Sequence, residues 1–398
     1  MWLLLVTILI MPFEVSPHLY LTPSFLGLIY DVTVIKVLGM IGAAWALLRI
    51  HFGGGGEPVF HSPQARLFAA LLIGVLISAT LNSSAMWAIV KYLALVIFMP
   101  FVLTAVQTRE DLRRAIQAAV LAMTIAVPWA MWQQTRWAGR LGVGLYEPNY
   151  FAANLILIIP LAFALATSER IAARRLFWAA AGLLLVVGVL RTSSRGGYLG
   201  LLVAGLIYTY RRWGALASGT ALIFLLLAAL PMEIGQRALA TVASDRPPPP
   251  GVEESNQAHR ALFWGGLRMV ADSPIFGVGP QRFGDYSRRY SGLGYAYIAH
   301  NTYLELAAEA GVPVLVVYLL LVATAVGTLG RAARLHNADA DRDLGVWADG
   351  LRTGLIGFAV AGFFISAQYE KPFWLMIFLS IVVGRLALRQ TATPASGP

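Results

Sequence analysis

Two arginines, a histidine and their neighbours carry the chemistry that can be read from this chain. In Arg191-Thr192-Ser193-Ser194-Arg195-Gly196-Gly197-Tyr198 two guanidinium groups stand four residues apart. Each is a planar fork of donors that fits phosphate oxygens. Gly196 and Gly197 would let backbone approach a ligand closely. The competing reading is an arginine at a helix end whose head group snorkels to water. In the stretch from Ala299 to Gly311, Asn301 or Thr302 can cap a helix and Glu305 lies within reach of its first turn. His300 stands just before that start, where an imidazole can act as a general base or simply cap and pack. Between His259 and Arg268 a helical pattern places Arg260 and Arg268, eight residues apart, on roughly one side. Its apolar face suits a membrane surface, and a solvated polar face is the alternative.

Other signals fail on spacing. Gly277-Val278-Gly279 follows no strand and lacks the third glycine of a dinucleotide loop, so it reads as a turn. Asp339, Asp341 and Asp343 alternate like a calcium loop, but Leu344 stands where the tight-turn glycine belongs and Gly350 where the bidentate glutamate belongs. There is no His-Glu-x-x-His and no phosphate loop, and the absence of cysteine removes thiolate nucleophiles, thiolate metal sites and disulfides. Asp31, Lys36 and Lys91 fall inside apolar runs, where charge is costly and hints at function.

The elements that must position these residues are set by composition. Of 398 residues 58% are hydrophobic and 13% charged, and mean hydropathy is +0.68. An ordinary soluble domain carries roughly 25% charge. The apolar excess comes in runs of about twenty residues, the length that crosses a bilayer. The fold class is therefore an all-α membrane protein with about twelve transmembrane helices. The runs lie near 2–17, 25–48, 67–82, 86–106, 115–134, 149–167, 176–191, 197–210, 213–232, 303–329, 347–367 and 373–388. No Lys or Arg precedes the first run and no small-residue cleavage site follows it, so it reads as a retained helix rather than a signal peptide.

Net charge is +10, and Lys36, Lys91 and Lys371 are the three lysines among 30 basic residues. No basic stripe interleaved with aromatics argues for nucleic acid. Arginine placement instead sets orientation. With both termini in the cytoplasm, fifteen basic residues fall in cytoplasmic loops or the tail, and five (Arg136, Arg140, Arg191, Arg195 and Lys371) in short outer loops. The chain then divides into nine helices over 1–232, an outer loop over 233–302 with an amphipathic helix, and three helices with a cytoplasmic tail over 303–398. The run Arg246 to Gly251, with four prolines, is stiff and extended.

Taken in order, Thr192 to Gly200, Arg260 through Pro274-Ile275-Phe276-Gly277-Val278-Gly279, and His300-Asn301-Thr302-Tyr303-Leu304-Glu305 through Gly311 resemble the O-antigen ligase and polymerase superfamily of bacterial membrane glycosyltransferases. A weaker match is Gly144 to Ala152, with Pro148 and Asn149. The resemblance covers roughly 142–330. Val314 departs from it, where members often show a second glycine after Gly311.

The resemblance implies a multi-pass protein of the bacterial inner membrane that works on the periplasmic face. A glycan on undecaprenyl diphosphate is moved to an acceptor hydroxyl, with no metal, nucleotide sugar or cofactor. Arg195 and Arg260 would hold the diphosphate and His300 would deprotonate or orient the acceptor hydroxyl. Arg191, Asn149, Arg268, Asn301, Tyr303 and Glu305 complete the expected substrate-binding set. Partners would be the lipid-linked glycan, membrane lipid and an acceptor: lipid A-core for a ligase, another glycan for a polymerase, or a protein hydroxyl for an oligosaccharyltransferase. One compact outer loop leans to ligase. A transporter or flippase of a lipid-linked or anionic substrate, and a non-catalytic assembly partner, are the readings from other classes.

Overall fold

The structure, a computed structural model, describes residues 1–14, 20–21, 32–52, 61–84, 86–132, 136–137, 140–143, 147–230, 252–336 and 342–391. Asp31, the proline run at 247–250, Asp339 and Asp341 lie outside the described residues.

Among the described residues fourteen α-helices follow in chain order: α1 Trp2–Ile10, α2 Val34–Phe52, α3 Pro63–Leu81, α4 Met86–Ala105, α5 Arg109–Trp132, α6 Pro148–Ser168, α7 Ala172–Arg191, α8 Arg195–Ala229, α9 Val252–Asp272, α10 Phe283–Ser291, α11 Thr302–Ala310, α12 Val312–His336, α13 Arg342–Ala361 and α14 Lys371–Thr391. Two-residue strands pair as β1 (Tyr20–Leu21) with β2 (Val32–Thr33) and as β3 (Arg136–Trp137) with β4 (Arg140–Leu141), both antiparallel.

Eight of these helices (α2, α3, α5, α6, α7, α8, α12 and α14) are long and apolar enough to cross a membrane, and α1 and α4 are shorter apolar helices. The fold is all-helical and multi-pass. Helices apolar on all sides belong in the middle of a bundle, and α6 and α14 are buried along most of their length. Around α6 pack α5, α7, α8 and α13, while α3, α12 and α13 pack in series. Outer helices instead present large apolar side chains such as Leu47, Ile73, Leu183 and Phe224, which suit a lipid surround.

Each of the twelve runs contains described helix. The two at 197–210 and 213–232 are limbs of α8, which bends at Gly214 (φ 84°, ψ −174°). The run at 303–329 is not one helix. It breaks at Gly311, where φ is +92°, a conformation that disfavours any side chain. The chain from Pro274 to Gly279 wedges into this break. Val312 N–H donates to Pro274 O at 2.8 Å, and Val278 and Gly279 N–H donate to Ala308 O and Glu309 O at 2.9 Å each. The Gly277-Val278-Gly279 turn thus docks onto the end of α11. Val314 is accommodated by its neighbour: it is buried, and a Cβ on Gly74 of α3 would lie 2.6 Å from its methyl.

A small layer sits at one end of the bundle. There α9, α10 and α11 close over a separate core of Leu262, Met269, Phe283, Ala299 and Ala308. Gly265 and Gly266 let α9 lie flat against the end of α10 and against Leu304 of α11.

Candidate functional site

The turn between α7 and α8 comes first. Ser194 caps α8, its Oγ accepting from Gly197 N–H at 3.1 Å, so Arg195 opens the helix and is exposed. Ser193 holds φ at +51°. The glycines that follow serve packing rather than a ligand. A Cβ at Gly196 would collide with Phe364, and one at Gly197 would lie 2.6 Å from Ala152 of α6. Arg191 is exposed at the last turn of α7.

A third arginine joins from β4. Arg140 donates from Nε to Thr192 O at 2.9 Å and from Nη2 to Asn149 Oδ1 at 2.7 Å. The Asn149 amide nitrogen in turn donates to Glu147. Both ends of Asn149 are therefore engaged in holding Arg140 beside the α7–α8 turn. Glu147, before the first turn of α6, is held above the usual carboxylate range by burial, which outweighs the opposing charge of Arg140.

His300 lies in the segment before α11. Its φ is +50°, a left-handed value that few non-glycine residues adopt. Hydrogen bonds fix the chain on both sides. Ala299 N–H donates to Glu305 Oε2 at 2.9 Å. Asn301 caps α11, its Oδ1 accepting from Tyr303 and Leu304 N–H at 3.0 Å each. Thr302 N–H donates to Gly362 O at 2.8 Å, and its hydroxyl donates to Ile365 O at 2.7 Å. His300 is 8% exposed, and its Nδ1 is buried without a hydrogen-bond partner. A buried imidazole nitrogen without a partner is costly, and a neutral ring has one nitrogen able to accept a proton.

The neighbour of His300 is His259 of α9, with ring centroids 4.8 Å apart, and Tyr297 lies 5.0 Å away on another side. Burial, with a smaller contribution from His259, brings His300 down to about 4. Burial also lowers His259, and the charge of Arg195 adds to that effect. Both imidazoles are thus neutral at neutral pH, and Arg195 lies within electrostatic reach of His259.

The structure therefore brings Arg195, Arg140, His259, Tyr297 and His300 to one end of the bundle. Of the expected residues, Asn149 joins them by holding Arg140. Arg260 is exposed on α9, one residue beyond His259. Arg268 donates to Tyr290 O at 3.1 Å and ties α9 to α10. Tyr303 donates to Ala359 O at 2.5 Å. Glu305 is 5% exposed and sits behind His300, accepting from Ala299 N–H, Ser366 and Gln368. Among the described residues no group of three or more His, Asp or Glu side chains is placed to hold a metal ion.

His259, Arg140, Glu147 and Tyr297 were not read from sequence as site residues. Arg140 carried a usable signal, as an arginine in an outer loop where basic residues are sparse.

A multi-pass helical membrane protein with an arginine and histidine cluster at one end of its bundle is the class these features define. Residues 179–319 match the family model described as O-Antigen ligase. That stretch runs from α7 into α12 and contains Arg191, Arg195, His259, Arg260 and His300. The match supports the O-antigen ligase and polymerase superfamily, and with it a membrane glycosyltransferase in general. No curated protein matches the chain.

Proposed function

We propose that the protein transfers a glycan from undecaprenyl diphosphate to an acceptor hydroxyl on the periplasmic face of the inner membrane. The observation that carries this reading is a buried His300 with a left-handed φ and an unpaired Nδ1, set at the same end of the bundle as Arg195 and Arg140. The acceptor oxygen attacks the anomeric carbon with inversion. Its proton passes to His300, the bond from that carbon to the phosphate oxygen breaks, and the electron pair stays on the diphosphate. Fixed arginine forks in a partly dry site stabilise that developing charge without a metal ion. Arg195 and Arg140 serve as the clamp, and Arg260, exposed on α9, reaches the diphosphate from the outer side. One well-placed base adds roughly 10²–10⁴-fold.

The acceptor that fits one compact outer layer is lipid A-core, which makes the protein a ligase. A polymerase or a protein O-oligosaccharyltransferase would use the same machinery with a different acceptor. The test is transfer by purified protein in lipid, with a defined undecaprenyl diphosphate-linked glycan, each acceptor class and EDTA present. Wild type should form product with lipid A-core and His300→Ala should not, while the variant still binds the lipid-linked donor. Full activity of His300→Ala removes the base assignment.

A flippase reading draws on charges away from this cluster: Lys371 pairs with Glu14, and Lys91 lies over the Tyr369 ring at 4.9 Å. Movement of the donor across the bilayer without any transfer would favour it.

A further inference from the structure

Four rings run in contact from the exposed outer segment to the buried end of the site. Tyr295 and Tyr297 meet edge to face with centroids 5.8 Å apart. Tyr297 is 5.0 Å from His300, and His300 is 4.8 Å from His259, both pairs tilted by 48°. Tyr295 and Tyr297 are 48% and 45% exposed, whereas His300 is 8% exposed. We infer that this ladder is a pyranose-binding subsite, with Tyr297 as the ring that a sugar covers next to the bond being made or broken. The inference rests on the glycan-transfer reading above.

The mounting of the ladder argues for a preformed surface. The segment between α10 and α11 is not helical, yet it is pinned at two points. Tyr297 N–H donates to Ser287 Oγ at 2.9 Å, and Ala299 N–H donates to Glu305 at 2.9 Å. Rings held this way bind with little loss of conformational freedom. Tyrosine offers an apolar face to the C–H side of a sugar ring and a hydroxyl to its polar rim. A polyprenyl tail would call for aliphatic walls instead. The buried end of the ladder lies within electrostatic reach of Arg195, whose charge acts on His259. A sugar stacked on Tyr297 would lie next to His300, whose ring centroid is 5.0 Å away.

The sugar can come from the lipid-linked donor or from the acceptor, and kinetics separate the two. Wild type, Tyr297→Ala, Tyr297→Phe and Tyr295→Ala, each full length in lipid nanodiscs, are assayed with donor varied at fixed acceptor and the reverse. Tyr297→Ala should raise KM for one saccharide substrate about tenfold while kcat falls less, and the substrate affected names the source. Tyr297→Phe, which keeps the ring, should restore KM to within about twofold of wild type, and Tyr295→Ala should change the same KM by a smaller factor. Unchanged KM values for both substrates in Tyr297→Ala, or a fall in kcat alone, would overturn the inference and leave Tyr297 as packing for His300. Direct binding keeps the two readings apart. Free core oligosaccharide and delipidated donor glycan are tested by saturation-transfer NMR against wild type and Tyr297→Ala. Binding lost in Tyr297→Ala supports the ladder even if no transfer is ever seen, and binding of neither glycan to wild type rejects it.

Discussion

If His300 receives the acceptor proton, the pH dependence of transfer must carry the mark of its burial. Moving the imidazole from the ordinary 6.5 to about 4 disfavours its charged form by about 3 kcal/mol. Burial is the main cause and His259 the lesser one. The free enzyme should then keep His300 neutral well below pH 6.5. Because kcat/KM reports the free enzyme, it should stay flat from pH 8 to about 5 and fall by half only near 4. A bound diphosphate changes this. A unit negative charge roughly 7 Å away at an effective dielectric of about 20 contributes about 2.4 kcal/mol, or a rise of about 1.7 in pKa. The acidic limb of kcat should therefore lie between about 5.5 and 6, above that of kcat/KM. The assay is product formation in nanodiscs at constant ionic strength from pH 3.5 to 8, with samples returned to pH 7.5 to confirm that the protein survives. A kcat/KM limb at 6.5 would refute the reasoning, because it would place the essential imidazole in water. The same group affects stability. The unfolded chain takes up its proton near 6.5 and the folded chain near 4. The contribution of neutral His300 is thus present above pH 6.5 and lost as pH falls towards 4, and the midpoint of thermal unfolding should drop across that window.

Three further outcomes follow from the geometry. Glu305→Ala leaves the Ala299 N–H, Ser366 and Gln368 without their shared acceptor, so it should cost about 3 kcal/mol in stability and lower kcat by displacing His300, as measured by thermal unfolding and transfer. Asn149→Ala frees the Arg140 fork on one side and should reduce transfer about tenfold with little change in unfolding temperature; an undiminished rate would remove Arg140 from the clamp. Gly311→Ala places a Cβ against the Ile275 carbonyl at a φ of +92°, so it should destabilise by at least about 2 kcal/mol and be seen as reduced folded yield in detergent.

What sequence could show depended on whether a feature was local. Membrane helices were legible because each apolar run carries its own signal, and a cap at Asn301 or Thr302 was legible because it involves only the next turn, the structure placing it at Asn301. The break at Gly311 was not, because the apolar run from 303 to 329 continues on both sides of it despite Glu305 and Glu309. What opens it is the Pro274–Gly279 chain, whose carbonyl and amides bond to both sides of the break. The same limit explains the site. His259 and Arg260 are neighbours in sequence, and nothing in their spacing says which faces His300. That is decided by the rotation of α9, which Gly265 and Gly266 set by letting the helix settle against α10 and Leu304. Glu305 illustrates the reverse. The resemblance implied substrate contact, but a carboxyl buried with three donors is more effective as a fixed acceptor that holds the backbone of its neighbour. Held behind His300, and not in front of it, this acceptor leaves Arg195 and Arg140 on the outer side of the site. On the proposed reading a diphosphate would meet these donors with Glu147 as the acidic neighbour of Arg140, and burial pushes that carboxyl above its usual range.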